Sequence, residues 1–346
     1  MFKHLSTNNR PNRLTKPLNI EMTLPLASLT TEIRNPASTD IDTLSTAELC
    51  KIINDQDALV APAVAEVLPA IAEAIDAIVE RIEAGGRLLY MGAGSSGRLG
   101  VLDAAELPPT FTADNMHYIA LMAGGDGALR TAREAIEDSR EAGRADLDAL
   151  FPTSDDALIG ITSSGRTPYV LGALQRAHEL GLLTIGLVCV RPSAVRMERN
   201  CTVVVDPVTG PEVITGSTRM KAGTATKMAL NMISTGVQIK LGKTYGNLMI
   251  DLNASNHKLV SRARRIIRTI AAEVGLPPSY ASIFTDDEQL DAVIRRCDGS
   301  VKLALVVVVS GWGIDLCREA LTRRGGVLRA VLDDVRFETV ARVFKV

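Results

Sequence analysis

Five short, largely apolar runs, each of strand length and separated by segments of helical periodicity, constrain this chain more than any other feature. They are RLLYMGAG (87–94), YIALMAG (118–124), DALIGITSS (156–164), LLTIGLVCV (182–190) and TVVVD (202–206). None alternates apolar with polar residues, so both faces of each strand must be covered. The intervening segments 126–144, 167–181 and 193–200 have helical periodicity and supply the cover. This predicts an α/β protein built from βαβ crossovers, with a doubly wound, mostly parallel sheet. Ligands of such sheets bind beyond the carboxyl ends of the strands, which directs attention to the residues after each run.

The flanks of this repeat are helical. Residues 58–84 read as one long amphipathic helix closed by Gly85 and Gly86. Beyond Thr215, helical patterns cover 219–242 and 253–275, and 286–335 reads as two or three short helices. Within the last stretch LALVVVVS (303–310) fits a strand by propensity and a buried helix by setting. The expected organisation is a flexible extension over 1–40, an α/β domain over 41–252 and a small helical C-terminal domain over 253–346. Lys3, Arg10, Arg13 and Lys16 lie in the extension with no acidic residue through position 20, and Met22 offers a second possible start.

Aromatic residues are only 3%, so the core must be built from Ala, Val, Ile and Leu. The formal charge of -2, without any Lys/Arg block, argues against nucleic acid or an acidic membrane surface as partner. No apolar stretch reaches the roughly 18–20 residues that span a bilayer. Cys50, Cys189, Cys201, Cys297 and Cys317 are scattered and never form a CxxC pair. They read as reduced core thiols of a cytoplasmic protein. His4, His117, His178 and His257 show no paired spacing, so no metal is expected.

The first run ends in Gly92-Ala93-Gly94-Ser95-Ser96-Gly97-Arg98 and opens a helix. Glycines let backbone amides approach an anion, hydroxyls add donors, and the helix contributes its positive end, so Gly94, Ser95 and Ser96 form a candidate phosphate cradle. The spacing also matches G-x-G-x-x-G, the dinucleotide fingerprint. Against that reading, the second run leads to Asp126 too far along to bind a ribose. The third run, moreover, ends in another hydroxyl loop, Thr162-Ser163-Ser164-Gly165-Arg166-Thr167-Pro168. Two such loops on neighbouring strand ends can grip one phosphate, although either alone also suits a helix N-cap.

These two loops resemble the phosphosugar site of the sugar isomerase (SIS) domain family, with Ser95 and Ser96, then Thr162, Ser163, Ser164 and Thr167, at the matching positions. Thr162 stands where the usual form has serine. A longer segment, GPEVITGSTRMKAGTATK (210–227), is similar to the signature shared by muramic acid phosphate etherases and glucokinase regulatory proteins. Physically it is an acid-bearing loop entering a helix, with Glu212 suited either to a sugar hydroxyl or to fastening the loop, and Lys221 and Lys227 to anions or structure. DAAELPPTF (103–111) resembles the etherase motif that carries a proton-donating glutamate, here Glu106. EAIEDSRE (134–141) resembles the second acidic motif, with Glu137 at the functional position; on composition alone it would be a solvated helix face. Arg34-Asn35-Pro36-Ala37-Ser38 and Asp40-Ile41-Asp42 also match the family's N-terminal segment.

The resemblance implies an SIS phosphosugar-binding fold, a homodimer, and cleavage of the lactyl ether of N-acetylmuramic acid 6-phosphate in amino-sugar catabolism and cell-wall recycling. An alkoxide leaves poorly at neutral pH, so simple displacement at C3 is closed. Elimination is open once the sugar presents its aldehyde, because the C2 proton then lies beside a carbonyl. Two carboxyl groups suffice, one to take that proton and one to protonate the leaving lactate and deliver water, with no cofactor. Glu106 is assigned as the acid and Glu137 as the base or its partner. The competing readings are a non-catalytic sugar-phosphate sensor and an SIS aldose–ketose isomerase.

Overall fold

The computed structural model describes residues 30–133, 135–252, 257–274 and 286–343. Three helices precede the sheet: α1 (Thr46–Asp57), α2 (Val60–Ala65) and α3 (Leu68–Glu83). A capping box starts α1, where Ser45 accepts from the Glu48 amide and Glu48 accepts from the Ser45 amide. The single helix expected over 58–84 is broken between α2 and α3, with a bend of 58°. Pro69 explains the break, since it has no N–H and its ring collides with the carbonyl four residues back.

All five expected strands form: β1 (Leu88–Gly92), β2 (Tyr118–Met122), β3 (Ala157–Ile161), β4 (Leu183–Leu187) and β5 (Val203–Val205). Every pairing is parallel and the order is β2-β1-β3-β4-β5. Between them run α4 (Gly94–Phe111), α5 (Gly127–Arg130), α6 (Arg140–Asp148), α7 (Pro168–Glu179) and α8 (Ala194–Met197), and α9 (Lys221–Lys240) follows the sheet. Alternate residues of one strand serve opposite cores: Leu88 and Tyr90 pack with Ile71, Ile78, Leu107 and Ile233, while Leu89 and Met91 pack with Leu147, Tyr169 and Leu174. The sheet is therefore doubly wound, with α3, α4 and α9 on one face and α6 and α7 on the other.

After α9 a two-stranded ladder, β6 (Thr244–Tyr245) with β7 (Leu248–Met249), leads into helices His257–Val274, Asp287–Arg296, Val301–Ser310, Ile314–Arg323 and Leu328–Val343. These share a separate cluster of buried apolar residues, including Ile250, Ile267, Leu290, Leu305 and Leu332. Residues 303–310 are helical. Ser300 caps that helix by accepting from the Leu303 amide, Gly311 closes it at φ 69, and burial on nearly all sides overrides the strand preference of its valines. No single helix among the described residues is long and apolar enough to cross a membrane.

Two further expectations change. Cys50 is exposed on α1 rather than a core thiol, while Cys189, Cys297 and Cys317 are buried. Residues 1–29 of the expected extension lie outside the described residues, but 30–40 are packed, not free. Ser38 donates to the Val213 carbonyl at 2.7 Å, Asn35 to that of Pro211 at 3.1 Å, and the Gly216 amide donates to Thr31. This segment is thus fastened to the 210–227 loop.

Candidate active site

The order β2-β1-β3 puts the topological switch point between β1 and β3, where an open α/β sheet forms its crevice. Both hydroxyl loops lie there. At the end of β1 the chain doubles back into α4 so closely that a Cβ on Gly92 would sit 2.7 Å from the Gly97 nitrogen, and one on Gly97 2.7 Å from the Gly92 oxygen. Only glycine fits at either place, and this contact presses Ser95 and Ser96 against the strand end. At the end of β3, Gly165 closes a turn by donating to the Thr162 carbonyl, and the Thr162 hydroxyl lies 2.8 Å from that of Thr167 and 3.4 Å from that of Ser164. Across the switch point the Ser96 and Ser163 hydroxyls stand 3.4 Å apart. Pro168 starts α7 beside this turn, so the N-termini of α4 and α7 add their free amides and positive ends to the hydroxyl set.

Two cavities open beside the cradle. One, of about 250 Å³, lies at the ends of β1 and β2 and is lined by Gly94, Arg98, Met122, Arg133, Ile136 and Glu137. The other, of about 510 Å³, is a groove between α4 and α9 lined by Ser95, Arg98, Leu99, Leu102, Arg219, Thr224 and Lys227. Arg98 stands in the wall of both, held by donating to the Ala128 and Leu129 carbonyls at 2.7 and 2.9 Å. Reading the loop for its glycines and hydroxyls passed over this arginine, although it lies inside the motif.

Beneath the groove is a polar cluster that sequence reasoning also missed. Asp103 is 3% exposed and accepts from Tyr90 and Ser234, each at 3.2 Å, with the Lys227 ammonium at 3.4 Å. Burial pushes the Asp103 carboxyl above its ordinary range, and Lys227 and the hydrogen bonds offset only part of that shift. Burial and the neighbouring Asp103 charge likewise raise the Tyr90 phenol. The available signal was the first residue of DAAELPPTF, one helical turn before Glu106.

The two candidate glutamates do not line a common cavity beside the cradle. Glu137 lines the smaller cavity and is exposed, in a 3-10 turn (Ile136–Asp138) that replaces the continuous helix face read from composition. Ala135 precedes it in the left-handed region at φ 64, a strained conformation for a residue with a Cβ. Glu106 is exposed on α4 and lines neither cavity. Counting eleven residues from Ser95, it lies on the same face of α4 as Ser95, Leu99 and Leu102, roughly 16 Å further along the axis.

Glu212 and Lys221 also part from the substrate contacts expected of them. Glu212 is fully buried, and its two carboxylate oxygens accept from the Lys221 and Ala222 amides at 3.0 and 2.9 Å, which caps α9. The Lys221 ammonium donates to Gln56 on α1 at 3.0 Å, and Gln56 in turn accepts from Asn35 at 2.8 Å. Burial raises the Glu212 carboxyl and lowers the Lys221 ammonium. Both fasten the signature loop, the alternative reading of these residues.

A parallel 2-1-3-4-5 sheet with hydroxyl loops at the switch point is the arrangement expected of the SIS-domain class. The family model for the glucokinase regulatory protein N-terminal SIS domain matches residues 70–178. An N-acetylmuramic acid 6-phosphate etherase from Caldanaerobacter subterraneus subsp. tengcongensis is 48% identical over 88% of this chain and 95% of its own. Those from Salmonella typhi and Vibrio cholerae are 46% and 44% identical over 89% and 90% of this chain and 99% of theirs. A phosphoheptose isomerase structure from Neisseria gonorrhoeae is similar over 56% of this chain and 98% of its own, at 17% identity and a TM-score of 0.44. The chain belongs to the N-acetylmuramic acid 6-phosphate etherase family.

Proposed function

We propose that this chain is a carbon-oxygen lyase that cleaves the D-lactyl ether of N-acetylmuramic acid 6-phosphate, giving N-acetylglucosamine 6-phosphate and D-lactate. It thereby serves amino-sugar catabolism and peptidoglycan recycling. The observation that carries this reading is near full-length similarity to etherases in a chain whose two hydroxyl loops meet at the switch point, beside a cavity lined by Glu137.

The cradle of Gly94, Ser95, Ser96, Thr162, Ser163, Ser164 and Thr167 holds the 6-phosphate through hydroxyls and the amides of two helix N-termini. A sugar fixed at that end presents C2 and C3 to the neighbouring cavities, and much of the rate comes from this positioning. Glu137 takes the C2 proton of the open-chain aldehyde. Glu106 protonates the departing lactyl oxygen, and after elimination it guides water onto C3 of the unsaturated aldehyde. The scheme runs on carboxyl groups alone.

Glu106 reaches this chemistry through assembly. Its face of α4 carries Leu102, 42% exposed, and Leu99, and it continues from the cradle in a strip that a second subunit can cover. A homodimer with twofold symmetry sets this strip against the partner's site, so that each site takes Glu106 from the other subunit. The cytoplasm, where thiols stay reduced, is the compartment that suits five free cysteines.

Lactate assayed after incubation of the purified protein with N-acetylmuramic acid 6-phosphate tests the activity, and Glu106→Gln tests the role. The variant is expected to bind the phosphosugar as the wild type does while releasing lactate about 10²–10⁴-fold more slowly. Wild-type protein that binds the phosphosugar yet frees no lactate would return the chain to the sensor or isomerase readings.

A further inference from the structure

A third cavity, of about 310 Å³, shares no wall residue with the two beside the cradle and sits where the sheet unit meets the helical C-terminal unit. His117, Tyr118 and Gln238 line it from the sheet side, Lys302 and the Gly325–Gly326 turn from the helical side, and Lys243 and Asp251 from the connection. Two of these groups have polar needs that the described residues do not meet. The Lys302 side chain is 9% exposed, and among the described residues the only acceptor near its three N–H donors is Asp251 Oδ2 at 3.4 Å, an oxygen already 2.5 Å from the Lys243 ammonium. Gln238 is fully buried; its Nε2 donates to the Tyr118 hydroxyl at 2.6 Å and its Oε1 has no partner. Turning the amide over only transfers the deficit to the other head atom.

Buried polar groups in folded proteins are almost always paired, and those left over point to a missing water or ion. Here an under-satisfied ammonium and an orphaned amide oxygen border one cavity, with two lysines sharing one inner carboxylate. Asp114, at the rim, is exposed, and its Oδ1 accepts from the Met116 amide at 2.8 Å. We propose that this cavity is a second ligand site, which takes a small oxyanion carrying a hydroxyl beside its charge, such as a hydroxy acid or hydrogen phosphate. The oxyanion accepts from Lys302 and Lys243, and the hydroxyl donates to Gln238. The volume would hold about ten waters, several more than two orphaned groups require, and it falls at the lower end of small-ligand pockets. Burial and the adjacent Lys243 lower the Lys302 ammonium, and a bound anion would restore it. Because the walls come from both units, occupancy ties them together and stabilises the whole chain.

The test is calorimetric titration of the full-length protein with inorganic phosphate and, separately, with D-lactate. Ser96→Ala/Ser163→Ala weakens the cradle, and the lysine substitutions added to it separate the second site from whatever the cradle still binds. That variant is expected to bind one equivalent of phosphate or lactate, the tighter probe naming the ligand's class, and to melt at a higher temperature when that probe is present. Adding Lys243→Met, whose side chain is 25% exposed at the rim, should weaken this binding about ten- to a hundredfold. Adding Lys302→Met should do the same. If the cradle variant binds neither probe, the cavity holds only solvent and the proposal fails. It fails equally if Lys243→Met binds as tightly as its parent. Neither result bears on lactate release, which the cradle governs.

Discussion

Asp103 shows how a single side chain under the site links chemistry to stability. Its folded-state proton is held more tightly than in the unfolded chain, because burial disfavours the carboxylate. Such a group contributes stability that is fully present below the ordinary value of 3.8 and is lost as pH rises through the raised folded value. Asp103→Asn removes that titration. The difference in unfolding free energy between variant and wild type, followed by urea denaturation from pH 3 upward, should therefore move in the variant's favour as pH increases. A difference independent of pH would show that Asp103 titrates normally. Residues of this kind were poorly legible in the sequence. DAAELPPTF gave Glu106 its role by resemblance, but nothing in the spacing linked Asp103 to Tyr90, Ser234 and Lys227, which converge only after β1, α4 and α9 pack. Glu212 was legible as to type and open as to role, since a carboxylate before a helix serves a cap as readily as a sugar hydroxyl.

Among the elements, α6 and α7 control the turn that carries Glu137. They cross with almost no separation: a Cβ on Gly172 would lie 2.1 Å from the Arg140 carbonyl oxygen, and one on Gly143 1.9 Å from that of Tyr169. Since Arg140 begins α6 only three residues after Glu137, pushing these helices apart also moves the candidate base. Gly172→Ala should destabilise the protein by about 1–3 kcal/mol or more, seen as a lower urea midpoint at unchanged slope. It should also reduce lactate release in the fraction that stays folded. An unchanged midpoint would mean the crossing yields easily. At this scale the sequence was most informative where burial is two-sided. The five strands stand out because a strand covered on both faces cannot alternate, and their ends placed both hydroxyl loops correctly. It was least informative where local and tertiary preferences compete. The valines of 303–310 favour a strand, yet Ser300 and Gly311 were present as helix caps, and Pro69 marked the break that the long amphipathic pattern over 58–84 concealed.

For the whole molecule the decisive issue is how Glu106, which lines neither cavity beside the cradle, meets the proposed site, a question that no single sequence answers. If the two glutamates act across a dimer, mixing Glu106→Gln and Glu137→Gln chains in equal amounts, with subunits allowed to exchange, rebuilds one intact site in each mixed dimer. About a quarter of wild-type activity should return, because half the dimers are mixed and each has one working site of two. Activity no greater than that of the separate variants would place both glutamates in one chain's site. The central claim, elimination followed by hydration, is tested most directly by turnover of N-acetylmuramic acid 6-phosphate in water enriched in heavy oxygen, with mass analysis of both products. Cleavage between C3 and the lactyl oxygen predicts label on C3 of the sugar phosphate and none in lactate; label in lactate with an unlabelled C3 hydroxyl would contradict it.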